Sequence, residues 1–308
     1  MAEVAEAGAP PRSARLRNAR LRVSAAFWRW PWLKLTLLLA APVAAFAVVY
    51  LGALTSLFVS SFWEVDSFTG KIIHTWTLSN FSTLIHEKVY RDIALRTLWM
   101  AAAVTLTDIV LAFPLAYFMA RIAAPRLRAA LFVMVLLPLW SSYLVRIYAW
   151  RTILAKDGVL NWVLNGLGLP DAGLAYTNTA MWIVFSYVWL PFMVLPVYAA
   201  LERIPDNYLE ASSDLGARSW RTFRRVILPL ALPGIVAGSI FTFSLTLGDF
   251  ITPALVGGAG SQFIGNVVEE YIGINGNVPF AAAFATVPVI VMAIYLVVAR
   301  RVGAFEAV

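Results

Sequence analysis

The chain has 308 residues, 61% of them hydrophobic and only 13% charged, and carries a formal net charge of +7. A soluble domain of this size has roughly a quarter of its residues charged, so this composition excludes an ordinary soluble enzyme and points to an integral membrane protein. With no cysteine the chain has neither a disulfide nor a thiolate metal site, and its positive balance suits the flanks of membrane spans rather than nucleic acid.

Residues 1–32 form a basic N-terminal segment, in which Arg12, Arg15, Arg17, Arg20 and Arg22 precede an apolar run from Leu33 to about Phe62. That run far exceeds the ~7–15 apolar residues of a cleaved signal, so it reads as a retained first span. Trp28, Trp30 and Trp32 at its start suit the headgroup layer. Further runs of the ~20 residues needed to cross hydrocarbon follow. Six spans are expected, at about 33–60, 93–120, 129–150, 178–201, 229–256 and 280–300. The runs are continuous rather than alternating, and a lipid-exposed backbone must satisfy its own hydrogen bonds, so helices are expected and a β-barrel is not. The fold class is therefore an all-α membrane protein. Its six-span domain covers 33–302, and a short tail covers 303–308.

The connections carry the rest of the information. The polar loop 61–92 contains His74 and His86, far apart and without a ligand pattern beside them, so they read as loop residues rather than metal ligands. The second span holds Asp108, in AAAVTLTDIVLAFPLAYF. A charge at mid-span costs ~2.5–3.5 kcal/mol on the insertion scale, so it is normally shielded from lipid, either by a structural partner or by a functional cavity. Arg121, Arg126 and Arg128 follow that span. Tyr143, Tyr148 and Trp150 lie in and after the third span, and GVLNWVLNGLGLP beyond it places Val159, Leu160, Val163 and Leu164 on one face of a short interfacial helix.

The loop 202–228 is the polar exception in the chain. Pro205 and Asp206 make a helix start, with Asp206 able to cap it. Tyr208, Leu209, Ala211, Ser212 and Leu215 recur at helical spacing as one small-to-apolar face. Gly216 ends that helix and Ser219 can cap a second one. Pro229 is expected to break or redirect the second helix where the fifth span begins. A helix of about nine residues, ~13 Å long, is too short to span a bilayer and suits a groove on a partner. In the fifth span Gly234 and Gly238 form a small-xxx-small pair for close packing. Asp249 follows Gly248 and precedes Pro253, so the span is expected to kink or break there and expose polar backbone to a cavity. Phe250 and the aromatics of the third span can add cation–π contacts. Asp108, Asp249, Tyr143, Tyr148, Trp150 and Phe250 are thus the candidate substrate path, with structural hydrogen bonding or ordinary packing as the alternative for each. Glu269 and Glu270 follow, in GNVVEEYI.

Lysine and arginine cluster in the N-terminal segment, at 121–128, at 203–225 and at Arg300 and Arg301. That asymmetry puts both termini and the loop 202–228 in the cytoplasm. No stretch matches a P-loop or a hydrolase signature, so the chain has no ATPase site of its own and no catalytic residues are assigned.

The loop resembles the coupling motif of permease subunits from binding-protein-dependent ABC importers. That motif reads E-A-A, three residues, G, nine residues, then I-x-L-P. Glu210, Ala211, Gly216, Leu228 and Pro229 match it at the same spacing, while Ser212 and Val226 replace alanine and isoleucine. The resemblance covers roughly residues 90–302. It implies the six-helix importer permease fold with a cytoplasmic coupling helix, in the inner membrane. It also implies three partners besides membrane lipid: an ATP-binding subunit that holds ATP and Mg, a second permease subunit and a periplasmic substrate-binding protein. Residues 141–161 and 247–258 resemble permeases of the spermidine/putrescine type, which implies a polyamine-like cation as cargo.

A self-contained transporter coupled to protons through Asp108 and Asp249 is the alternative, and a membrane scaffold leaves the motif spacing unexplained. The purified chain alone, in liposomes with a proton gradient, is expected to stay silent; uptake there would establish the self-contained transporter.

Overall fold

The computed structural model describes residues 31–66 and 68–301. The arginines from Arg12 to Arg29, Trp28, Trp30 and the tail 303–308 lie outside the described residues. The chain divides into two units, the first ending at Val59. Its helix α1 (Pro31–Ala45) continues through a π turn (Phe46–Leu51) into α2 (Gly52–Ser60). Thr36 and Thr55 donate their hydroxyls to the carbonyls four residues back, which hides two polar groups within an apolar helix.

The second unit opens with a short hairpin of β1 (Glu64–Val65) and β2 (Ile72–Ile73), antiparallel with Glu64 opposite Ile73. The helix α3 (Ser79–His86) leads into α4 (Lys88–Tyr117), which runs through a second π turn (Phe118–Ile122). Then come α5 (Pro125–Leu136), a 3-10 turn (Leu137–Trp140), α6 (Tyr143–Leu154), α7 (Val159–Gly166) and the long α8 (Asn178–Glu202). The loop 202–228 holds α9 (Asp206–Asp214), α10 (Ser219–Thr222) and a third π turn (Phe223–Ile227). The chain closes with α11 (Leu228–Gly248), α12 (Ile251–Val256), α13 (Ile264–Gly273) and α14 (Val278–Arg301). Among the described residues, five helices are long and apolar enough to cross a membrane, or six if the bent pair Pro125–Trp140 and Tyr143–Gly166 counts as one span.

The third expected span, 129–150, falls on that pair and is bent rather than continuous. The two parts meet at 95°. Pro138 has no N–H to donate and disfavours helix in the residue before it. Its own carbonyl is then capped by both the backbone N and the hydroxyl of Ser141, at 3.2 and 2.8 Å. A second correction concerns Pro229. The helix is not redirected there, because the π turn Phe223–Ile227 widens the coil just ahead of it and accommodates the proline ring. Residues 219–248 therefore form one helix of 30 residues.

The α8 helix is the spine of the second unit. At one end Met193, Val197 and Leu201 pack with Ala112, Met119, Ile227 and Ala231. Towards the other, Met181, Phe185 and Val188 pack with Val104, Val256 and Phe263. Ile264, Val267, Phe280 and Phe284 join α13 to α14 against Leu84 and Ile93. Lipid gives helices little hydrophobic reason to associate, so close van der Waals packing at small residues has to hold them together. Gly234 and Gly238 do this between α11 and α8. A Cβ on Gly234 would lie 2.5 Å from both the Pro196 carbonyl oxygen and the Ala200 Cβ, and one on Gly238 would lie 2.7 Å from the Met193 sulfur. Gly234→Val is expected to lower stability by ~1–3 kcal/mol through overpacking. Gly166→Ala, which meets nothing within 4 Å, is the near-neutral control in the same detergent melting experiment.

Candidate functional site

Two polar regions interrupt the apolar bundle: the loop carrying α9 and the break at Asp249. The loop is shaped by its own residues. Pro205 (φ −66°) fixes the entry to α9, and Gly216 (φ +71°) ends it in the left-handed conformation. The amide of Gly216 reaches the Ser213 carbonyl at 2.8 Å and that of Ala217 the Ser212 carbonyl at 3.1 Å. Asp206 and Ser219 do not cap as the sequence suggests; the capping positions are Pro205 and Arg218, neither with a side-chain bond. Asp206 instead pairs with Arg121 at 2.7 Å. The apolar face of α9 is also divided. Leu209 turns inward to the core with Phe223, whereas Tyr208, Ala211 and Leu215 form an outward stripe in which Leu215 is 87% exposed.

Each residue of the motif has a definite place. Glu210 is exposed on α9, beside the stripe. Ser212, which replaces an alanine, sits 2.8 Å from the hydroxyl of Thr222 and links α9 to α10. Val226 and Leu228 are half-buried, with Ile227 buried between them, and Pro229 is exposed. Around this loop Arg128 lies 3.7 Å from Glu202, which also accepts from the Tyr198 hydroxyl at 2.8 Å.

At the other region the fifth span ends at Gly248 and resumes at Ile251, with Asp249 extended (ψ 135°) between them. Asp249 is 7% exposed. Its Oδ1 accepts from the amides of Ile251 at 2.8 Å and Thr252 at 3.3 Å. Its Oδ2 accepts from the Tyr143 hydroxyl and lies 2.8 Å from the hydroxyl of Thr252. Tyr143 stacks on Trp189 with ring centres 5.5 Å apart, and the Arg146 guanidinium lies 5.9 Å from the Tyr143 ring. The carboxylate thus binds the start of α12 to the start of α6. The carbonyl of Phe250 accepts from the Ala254 amide at 3.3 Å and also from the Asn266 side chain at 2.6 Å, and Phe250 itself is 40% exposed. An open cavity of about 600 Å³ lies beside the break, with Pro253, Gly257, Asn266, Glu269 and Glu270 in its wall.

The remaining candidates are not gathered at that break. Asp108 is fully buried on α4, on the face that carries Val104 and Ala112, and neither of its oxygens has a hydrogen-bond partner among the described residues. No hydrogen bond or ion pair links it to Asp249 among those residues. Trp150 packs on Tyr187 at 5.2 Å and, with Trp182 and Ser186, lines an apolar groove of about 330 Å³. Tyr148 is 50% exposed and Thr152 donates to its carbonyl. His74 packs edge-on against Trp63, and the His86 ring sits 2.8 Å from the Ser82 carbonyl. Sequence reasoning missed Thr252 and Arg121. A threonine three residues after Asp249 was a readable sign of capping, but nothing local tied Arg121 to Asp206.

The family of binding-protein-dependent transport system inner membrane components matches residues 112–304. The chain is 50% identical over 299 residues to the inner membrane ABC transporter permease protein YdcU of Escherichia coli (strain K12), covering 93% of this chain and 95% of that protein. It is 37% identical over 229 residues to the spermidine/putrescine transport system permease protein PotB of the same organism, covering 73% and 82%. Its fold matches a chain of a bacterial alginate ABC transporter, solved with an alginate pentasaccharide-bound periplasmic protein, at a TM-score of 0.70 and 18% identity, covering 91% and 98%.

The capping geometry makes its own prediction. Asp249→Ala leaves buried donors unmatched and is expected to cost ~1–3 kcal/mol, while Asp249→Asn keeps an acceptor for the Ile251 amide and costs less. Melting of the two variants in detergent checks this, and equal melting temperatures would contradict it.

Proposed function

Because this chain belongs to the family of binding-protein-dependent transport system inner membrane components, and so is the permease subunit of an ABC importer, we propose that it carries a small polyamine-like cation across the inner membrane. It is a transport component rather than an enzyme. In the proposed complex it pairs with a second permease subunit, takes cargo from a periplasmic binding protein and rests on ATP-binding subunits that hold ATP and Mg. Both termini and α9 face the cytoplasm, in keeping with the arginines around α9.

The observation that carries this reading is the outward stripe of Tyr208, Ala211 and Leu215 on a short helix that the rest of the loop holds rigidly. A helix that leaves its apolar side uncovered beside a charged edge suits a groove on a partner protein. Closure of the ATP-binding pair around nucleotide then pushes α9, and the spans joined to it change which side of the membrane the path opens to. Polyamine cargo is supported by the PotB relative and by the acids Glu269 and Glu270 in the cavity wall beside the broken span. Asp249 serves that path by holding its broken backbone in shape. Tyr143 and Phe250 flank it, Tyr148 and Trp150 contribute aromatic surface, and Asp108 is the carboxylate that a second conformation can uncover.

In proteoliposomes containing the assembled importer, spermidine uptake is expected to require Mg-ATP and the binding protein. Glu210→Lys and Gly216→Pro are each expected to lower that uptake more than tenfold at unchanged membrane abundance. Proline fixes φ near −65°, which position 216 cannot accept. Normal uptake by both variants would contradict the coupling role of α9.

A further inference from the structure

The loop helix α9 is fastened to a span that it does not adjoin in sequence. Arg121 lies 85 residues before Asp206, in the π turn that ends α4. One nitrogen of its guanidinium donates to the Asp206 carboxylate at 2.7 Å, and the other donates to the carbonyls of Leu201, at 2.7 Å, and Ile204. The carbonyls at a helix C-terminus carry the negative end of the helix dipole, which favours a cation there. A planar guanidinium can meet several acceptors in fixed directions; an ammonium cannot. The π turn sets the direction of this side chain, because the Ala123 amide bonds five residues back, to the Phe118 carbonyl. Arg121 is only 13% exposed, while Asp206 is 82% exposed. The buried carbonyl contacts therefore hold more firmly than the solvent-screened ion pair.

The same helix grips a second structure at its other end. Arg96 donates to the carbonyls of Gly260 and Gln262, and the Thr97 hydroxyl accepts from the Ile264 amide at 3.1 Å. Residues 260–264 lead from the broken fifth span into α13. Residues 88–122 are one helix of 35 residues, so one helix holds the entry to the loop helix at one end and the exit from the break at the other.

We propose that Arg121 is a positioning residue for transport: it locks the connection between α8 and α9, residues 201–206, to α4, so that motion imposed on α9 is delivered along α4 to residues 260–264. This rests on the reading of α9 as the helix that receives the ATP-binding partner. A hinge made only by the chain between α8 and α9 would let α9 rock without moving α4.

The test uses the complete importer in proteoliposomes, with its ATP-binding subunit, second permease and binding protein, and spermidine as the probe. The quantity read is ATP hydrolysed per spermidine imported. Arg121→Gln is expected to raise that ratio at least fivefold. Arg121→Lys, which keeps the charge and loses the fork, is expected to raise it less, and Asp206→Asn less than twofold. A merely structural role would lower uptake and hydrolysis together and leave the ratio unchanged, which overturns the proposal; so does a normal ratio in Arg121→Gln. A second arm needs no cargo. The chain has no cysteine, so Gln262→Cys gives it one labelling site, and the purified chain is spin-labelled before assembly with its partners. ATP is expected to change the label's mobility in the otherwise native complex and not in the Arg121→Gln complex. An equal change in both overturns the proposal. A native complex that hydrolyses ATP but imports no spermidine, yet passes the label test, overturns the cargo assignment alone.

Discussion

The constraint on which the structure depends is that hydrocarbon offers no hydrogen bonds to a broken helix. At several departures from regular helix a side chain bonds the backbone groups of the irregular stretch. Ser141 caps the carbonyl of Pro138 at the bend in the third span. Asp249 takes the first amides of α12, and Asn266 takes the carbonyl of Phe250. Arg121 takes the carbonyls of Leu201, at the end of α8, and Ile204, just beyond it. The threonines inside the spans, such as Thr97, Thr105 and Thr246, turn their hydroxyls to carbonyls four residues back and present no bare polar group. Irregular backbone survives only because it is answered in this way, and a path through a bundle needs irregular backbone.

Those same answers divide the molecule into parts that move together. Gly234 and Gly238 bring α11 against α8 so closely that neither position has room for a side chain. Tyr143, through Asp249 and Thr252, joins the bent third span to the continuation of the fifth. The α9 helix is held at one edge and open at the other: Leu209 and Ser212 tie it inward, while Tyr208 and Leu215 remain outward. A part so arranged transmits force without deforming. The chain belongs to a family of transport components, and in the proposed importer the force comes from the ATP-binding subunits.

Much of this was legible in the sequence, and the parts that were not share a cause. The ends of α9 were readable because Pro205 and Gly216 act through local backbone geometry. The break at Asp249 was readable for the same reason, from Gly248 and Pro253. The bend in the third span was hidden, because the apolar run continues through Pro138 and hydropathy does not register a turn inside it. The division of the α9 face and the pairing of Arg121 with Asp206 depend on which span lies alongside, and spacing along one helix carries no such information. Ser219 and Asp206 are good capping residues by type, yet neither caps, because each is the first residue of its helix and the capping positions fall on Arg218 and Pro205.

The central claim is that α9 faces the cytoplasm and is covered there by the ATP-binding partner. Leu215→Cys in this cysteine-free chain gives one thiol at an exposed point of that surface. A membrane-impermeant maleimide should leave it unmodified in intact cells. The reagent should modify it in inside-out vesicles stripped of the ATP-binding subunit, and adding that subunit back should protect it. Modification in intact cells, or equal modification with and without the subunit, would contradict the account.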